Sequence, residues 1–317
     1  MIAHGRTRGA HTHSGAASHD HAIPTTADAR WLTIALALIL ALMAGEVVVG
    51  ILSGSIALLS DAAHMLTDAA AIVLALVAMR LSARQPRGGF TFGLKRAEIL
   101  SAQANGISLL LLATWLGYES IRRLFAPVNV GGVAVLITAL IGIAVNVIAT
   151  WCVGRANRAS LNVEGAFQHL LNDLFAFIAT AIAGLVIVLT GFTRADPIAS
   201  LVVVVMMVKA GIGLVKESGR IFMEAAPAGM RPQELGQAMA EVPGVVEVHD
   251  LHVWQVTSGY PTLSAHVFVA PGGDCHAVRG ELEVLLSRRY EIDHTTLQVD
   301  HVGDPHCADP HGESFTR

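Results

Sequence analysis

Six apolar runs, each long enough to cross a bilayer as a helix of about 20 residues, govern what this chain can fold into. They lie near 31–52, 56–80, 97–121, 131–153, 163–190 and 196–217. In hydrocarbon such a run satisfies its own backbone polar groups by forming a helix. Ser53-Gly54-Ser55 is short enough to make the first two an antiparallel hairpin, and proline or glycine marks breaks at Pro86–Gly89, Pro127, Gly131-Gly132, Gly191 and Pro197. Only 15% of the 317 residues are charged and 53% are hydrophobic, where soluble domains carry about a quarter charged residues. The chain reads as an α-helical membrane protein with six transmembrane helices.

Charge divides it in two. Up to Phe222 there are 16 Lys and Arg against 11 Asp and Glu; from Met223 onward there are 5 against 14. A basic-edged membrane domain is followed by an acidic soluble one, which argues against nucleic acid and suits cations. The expected layout is a tail over 1–29, a membrane domain over 30–222, a soluble domain over 223–303 and a C-terminal tail over 304–317. Three cysteines, Cys152, Cys275 and Cys307, make no disulfide framework. The first thirty residues are polar, with His4, His11, His13, His19 and His21; they read as a disordered tail, and they lack the apolar run of a cleavable signal peptide.

Basic residues set the orientation. With the N-terminus inside, the inner side collects Arg6, Arg8, Arg30, Arg80, Arg84, Arg87, Lys95, Arg96, Arg155, Arg158, Lys216 and Arg220, and the outer side Arg122, Arg123 and Arg194. Both termini are then cytoplasmic. Beyond Met223 the pattern shortens: a helix over Arg231–Val242, strands over Val245–Val256 and Thr262–Ala270 around a Ser258-Gly259-Tyr260-Pro261 turn, an amphipathic helix over Asp274–Tyr290 and a strand over Thr295–His301. That is a small α+β domain of order α-β-β-α-β.

Chemistry concentrates in two matched pairs. His64 and Asp68 fall in the second apolar run, His169 and Asp173 in the fifth. Four residues apart on a helix, each pair shares one face. Two imidazoles and two carboxylates make a four-ligand set that suits a tetrahedral divalent ion such as Zn²⁺, and ionisable groups at membrane depth are costly and usually functional. By position, the pairs approach the midplane from opposite sides with the aspartates nearest in depth, so a shared site calls for a slight offset or tilt. Asp61 is a vestibule or helix-start residue. Glu46, Gln103, Asn105, Asn146, Gln168 and Asn172 suit hydrogen bonds between helices, with a proton or supporting role as the alternative for Glu46 and Asn146. Gly45, Gly50, Gly106, Gly142 and Gly184 suit close helix contact.

In the soluble part His249, His252, His266, His276 and Asp300 lie in or beside the strands and the second helix, and alternate strand positions can share a face. A second metal cluster is expected there. His306, Cys307 and His311 form a further, secondary candidate. No His-Glu-x-x-His supports a zinc protease and no Gly-x-x-x-x-Gly-Lys-Ser/Thr supports ATP hydrolysis, so an enzyme is not expected. Bound metal and protons compete for neutral imidazole and ionised carboxylate, which suffices for antiport. The alternative is a membrane-bound zinc sensor or store that binds metal without moving it.

Ser60-Asp61-Ala62-Ala63-His64 with Asp68, Phe92-Gly93-Leu94-Lys95-Arg96-Ala97-Glu98, His169 with Asp173, and His249-Asp250-Leu251-His252-Val253-Trp254 together resemble the cation diffusion facilitator family, its zinc-exporting bacterial branch in particular. The resemblance runs from Trp31 to about His301. It implies a homodimer in the cell (inner) membrane, each subunit with six helices and a ferredoxin-like, metallochaperone-like cytoplasmic domain. It also implies export of Zn²⁺ by alternating access, driven by inward protons, with Cd²⁺ as a second cargo. The transport site carries over onto His64, Asp68, His169 and Asp173, and a cytoplasmic dimer-interface site, where Zn²⁺ acts as a regulatory ion, onto His249, His266, His276 and Asp300. Arg84–Arg96 lacks the His, Asp or Cys of a loop site that some members have, and Gln298 stands where certain members place a histidine ligand.

Overall fold

A computed structural model describes residues 26–53, 56–126, 132–303 and 313–316, with only the backbone described at some positions in the first, second and fourth helices. Six long helices come first: α1 (Thr26–Ser53), α2 (Ile56–Ser82), α3 (Ala97–Phe125), α4 (Gly132–Gly154), α5 (Leu161–Thr190) and α6 (Ala195–Phe222). The smaller elements follow as α7 (Pro232–Ala240), β1 (Val245–Gln255), β2 (Pro261–Val269), α8 (Cys275–Tyr290), β3 (His294–His301) and β4 (Phe315–Thr316). Among the described residues, α1, α3, α4, α5 and α6 are long and apolar enough to cross a membrane. α2 has comparable length, 27 residues, with only the backbone described over 56–64 and at Thr67.

The membrane helices form two packing units. α1, α2, α4 and α5 surround one core, where Leu32, Ile39, Ile72 and Leu170 are buried. α3 and α6 meet around a second, built from Leu109, Ala113, Val203, Met207 and Leu214. Glycine makes the α3–α6 crossing possible: a Cβ on Gly106 would stand 2.9 Å from Leu214 Cβ, and one on Gly211 would stand 3.0 Å from Gly106 O. Small residues let helix backbones approach where lipid supplies no hydrophobic drive. Gly142 is occluded in the same way by the Phe177 ring, whereas Gly45, expected at a close contact, meets nothing within 4 Å.

The soluble domain is a four-stranded sheet of order β3-β2-β1-β4. β1 and β2 are an antiparallel hairpin, and β2 and β3 run parallel, a connection that needs the α8 crossover. Leu263, Ala265, Val267 and Val269 alternate along β2 into one core with Leu235 and Met239 of α7 and Leu282 and Leu286 of α8. The intervening residues Ser264, His266 and Phe268 therefore share the other face. β4 is an addition that the sequence pattern does not announce. It pairs with β1 through Val248↔Phe315, and the Phe315 ring lies where a side chain on Gly236 of α7 would be.

The two parts touch at the turn between β1 and β2. Thr257 Oγ1 donates to Glu98 Oε2 at the start of α3 (3.2 Å), and Leu161 N donates to Ser258 Oγ (3.1 Å). Arg96 pairs with Glu224 at 3.2 Å, and Lys95 sits over the Tyr260 ring.

Candidate metal centres

Antiparallel α2 and α5 build the first centre. Asn162 Nδ2 donates to Ala75 O at 2.9 Å, which fixes their register. Seven residues along each helix from that contact, Asp68 comes level with His169. The sequence-based expectation that the aspartates lie closest in depth is thus corrected: each aspartate is level with the other helix's histidine position, and no offset is needed. The same register puts position 64 of α2 level with Asp173. The His64 side chain, like those of Asp61 and Glu46, lies outside the described residues.

His169 Nε2 is 2.9 Å from Asp68 Oδ1, with the carboxylate as acceptor, and 3.9 Å from Asp173 Oδ2. The ligand atoms of Asp68, His169 and Asp173 all lie within 4.8 Å of one another. The histidine side chain is 3% exposed and the two aspartates 17% and 21%. His169 Nδ1 and Asp173 Oδ2 are buried with no hydrogen-bond partner among the described residues. Buried polar groups normally find partners, so orphaned lone pairs inside a cluster of two carboxylates and an imidazole are what a divalent cation would satisfy. Neighbouring amides do not reach across helices as expected. Asn146 and Asn172 each donate to a carbonyl of their own helix, Gly142 O and Gln168 O, and Gln168 donates to Glu164.

The second centre lies on the polar face of the sheet. His249 and His266 are cross-strand partners on β1 and β2, with ring centroids 5.4 Å apart. The third member is Asp250, and the ligand atoms of the three lie within 4.8 Å. In a regular strand Asp250 would point away from its neighbour His249. Here the β1–β2 ladder is irregular between His249 and His252, and Asp250 adopts φ 50°. This bulge re-aims the side chain, leaving Asp250 Oδ2 3.9 Å from His266 Nδ1. His249 is fully buried, and neither ring nitrogen has a hydrogen-bond partner among the described residues.

His276 and Asp300 stand outside this group of three. His276 is exposed in the first turn of α8, where its backbone N–H donates to the Asp274 cap. Asp300 pairs in register with Phe268 and accepts from Gln298 at 2.8 Å; Gln298 itself lies beside His266. His252 is exposed and lines a cleft of about 1030 Å³ between the α2–α3 loop and β1. His306, Cys307 and His311 lie outside the described residues, as do the N-terminal histidines. Asp250 is the member that the sequence reading passed over, though an Asp tolerates left-handed backbone better than most residues.

Comparisons with known proteins cover almost the whole chain. Residues 32–223 match the cation efflux transmembrane domain, and residues 228–302 match the cytoplasmic domain of cation efflux proteins. The zinc transporter ZitB of Escherichia coli is 37% identical over 294 residues, covering 92% of this chain and 93% of that one. ZitB of Pectobacterium atrosepticum is 34% identical over 92% of both chains. A cadmium, cobalt and zinc/H(+)-K(+) antiporter of Bacillus subtilis is 33% identical over 86% of this chain and 89% of its own.

Proposed function

Because the chain belongs to the cation efflux (cation diffusion facilitator) family, we propose that it exports Zn²⁺ from the cytoplasm in exchange for protons, with Cd²⁺ as a second cargo. The family is one of transporters, so the chain moves cations rather than catalysing a reaction. The observation that carries the reading is the convergence of Asp68, His169 and Asp173 within 4.8 Å, where two long helices meet. Zn²⁺ is the cargo held there, and His64, one turn before Asp68 on α2, supplies the fourth ligand. Metal displaces the proton shared by His169 and Asp68, and a proton arriving from outside displaces the metal, because the ligands bind in their neutral-imidazole and carboxylate forms.

α2 counts as the sixth crossing. The protein sits in a bacterial inner membrane with both termini in the cytoplasm, a reading supported by the basic residues gathered at one end of the helices. Two copies pair through the domain over 223–303. The His249–Asp250–His266 group, with Asp300 and His276 from the neighbouring elements, is its regulatory Zn²⁺ site, favouring the closed dimer when zinc is abundant. Thr26–Ala29, assigned to the tail by the sequence pattern, belong to α1, and Phe315 and Thr316 of the stretch 304–317 pair with β1.

Zinc flux into proteoliposomes holding an imposed pH gradient tests the reading. The native chain should show gradient-dependent flux that Asp173→Ala abolishes. Zinc binding without flux, or flux indifferent to Asp173, would replace transport by storage.

A further inference from the structure

Apart from Thr150 Oγ1 on α4, three polar atoms in the inner half of the membrane domain are buried with no hydrogen-bond partner among the described residues: Ser101 Oγ and Asn105 Nδ2 on α3, and Asn162 Oδ1 on α5. Their residues are at most 2% exposed. A buried polar atom left unsatisfied is destabilising, so these three call for a reason. Simple hydrogen-bonding glue is a poor one. Asn146 and Asn172, which are also buried, do find carbonyl acceptors.

Two of them share the α3 face that meets α5, and the third, Asn162, stands on α5 three residues before Gly165, with its Nδ2 donating to Ala75 O of α2. Ser101 and Asn105 follow Glu98 by three and seven residues, which is one face of α3. α5 meets that face in parallel register. At the bottom Ser160 Oγ donates to Glu98 Oε1 at 3.4 Å, and higher up a Cβ on Gly165 would lie 3.5 Å from Asn105 Nδ2. One turn beyond Gly165 on α5 is His169. At 1.5 Å per residue, Asn105 lies about 6 Å below the imidazole and Glu98 about 14 Å below it.

Glu98 closes the lower end. It is 1% exposed, and its two carboxyl oxygens accept from hydroxyls of different parts of the molecule: Ser160 at the start of α5 and Thr257 in the β1–β2 turn. A carboxyl group set this deep at the inner end of a helix, held by neutral donors that water can replace, is a latch more than a strut.

We propose that the α3–α5 seam is the cytoplasmic access route for the metal. Glu98 is its mouth, Ser101, Asn162 and Asn105 are its stepping sites, and the Asp68–His169–Asp173 cluster is its end. The inference rests on the transport reading above and adds the path. A partly dehydrated divalent cation needs oxygen donors along the way. Ser101 Oγ and Asn162 Oδ1 supply them, and Asn105 does so through Oδ1 once its amide turns, without the net charge that would trap the ion, since passage demands sites weak enough to leave. In the state described here the seam is sealed by the hydroxyl contacts to Glu98. Because one of these comes from Thr257, the soluble domain holds the seal.

The test is thiol accessibility in inverted membrane vesicles, with Cys152, Cys275 and Cys307 replaced by serine. Ser101→Cys or Asn105→Cys is then introduced, with Ala113→Cys in the α3–α6 core as the control. A permanently charged, membrane-impermeant methanethiosulfonate added at the cytoplasmic face should modify positions 101 and 105, leave 113 untouched, and react more slowly when Zn²⁺ is present. Absence of modification at both seam positions overturns the proposal, as does modification that Zn²⁺ does not slow. A second variant, Asn105→Leu, should keep the equilibrium Zn²⁺ affinity but lower flux about ten-fold, because an apolar step raises the barrier along the path; unchanged flux also overturns it. Native zinc flux is scored separately in the same vesicles. Flux without labelling defeats the seam alone, and labelling with zinc protection but without flux defeats the transport reading alone.

Discussion

In the proposed site Asp68 offers a carboxylate oxygen to the metal and orients the His169 ring through the 2.9 Å contact. Asp68→Asn therefore removes a charge and a positioning partner together. It should weaken Zn²⁺ binding by at least about 100-fold, judged against the 10–100-fold lost when a merely supporting partner is removed. Calorimetry on the purified protein would read this, and retained affinity would place the site elsewhere. The sign of the pH dependence follows from the same atoms. Protons and metal compete for them, so affinity measured near about pH 6 should be weaker than near about pH 8; a flat profile would contradict exchange at this site. At this scale most of the membrane site was legible, because a four-residue spacing within an apolar run admits one geometry. Asp250 was not. Strand alternation assigns it to the wrong face, and only the bulge with its φ of 50° brings it to His266.

The α3–α6 crossing is the element most sensitive to bulk. Gly106→Leu puts a side chain where even a Cβ would be 2.9 Å from its neighbour. It should destabilise the membrane domain by about 1–3 kcal/mol through overpacking, seen as a lower unfolding midpoint in detergent, while the same change at open Gly45 should leave the midpoint nearly unmoved. β4 makes the opposite kind of prediction. Phe315→Ala loses a half-buried ring against α7 and should cost the full-length chain about 1–2 kcal/mol; no change in midpoint would mean that the edge pairing contributes nothing. Long helices and the β1–β2 hairpin announce themselves by length, alternation and the Ser258–Pro261 turn. A two-residue strand has no period to read, and its place was decided by a glycine about eighty residues earlier in the chain.

In the whole molecule the membrane and soluble parts are joined by a few polar contacts, with Thr257 and Glu98 the most buried of them. Thr257→Val keeps the shape and removes a donor from a buried carboxyl group, which should cost about 1–3 kcal/mol and lower the unfolding midpoint; an unshifted midpoint would show that water already serves Glu98. The charge split at Met223 and the two-domain order were plain in the sequence. How the domains meet was not, since hydroxyls and a glutamate far apart in the chain carry no pattern. The bond between His169 and Asp68 also bears on leakage. In the proposed exchange, after the metal departs, one proton between ring and carboxylate lets the carrier turn back. Without it, Asp68 and Asp173 would face each other with no cation between them, and the return would stall. A carrier stalled in this way runs no idle cycles: zinc cannot slip back down its gradient, and protons cannot drain through a protein that has nothing to export.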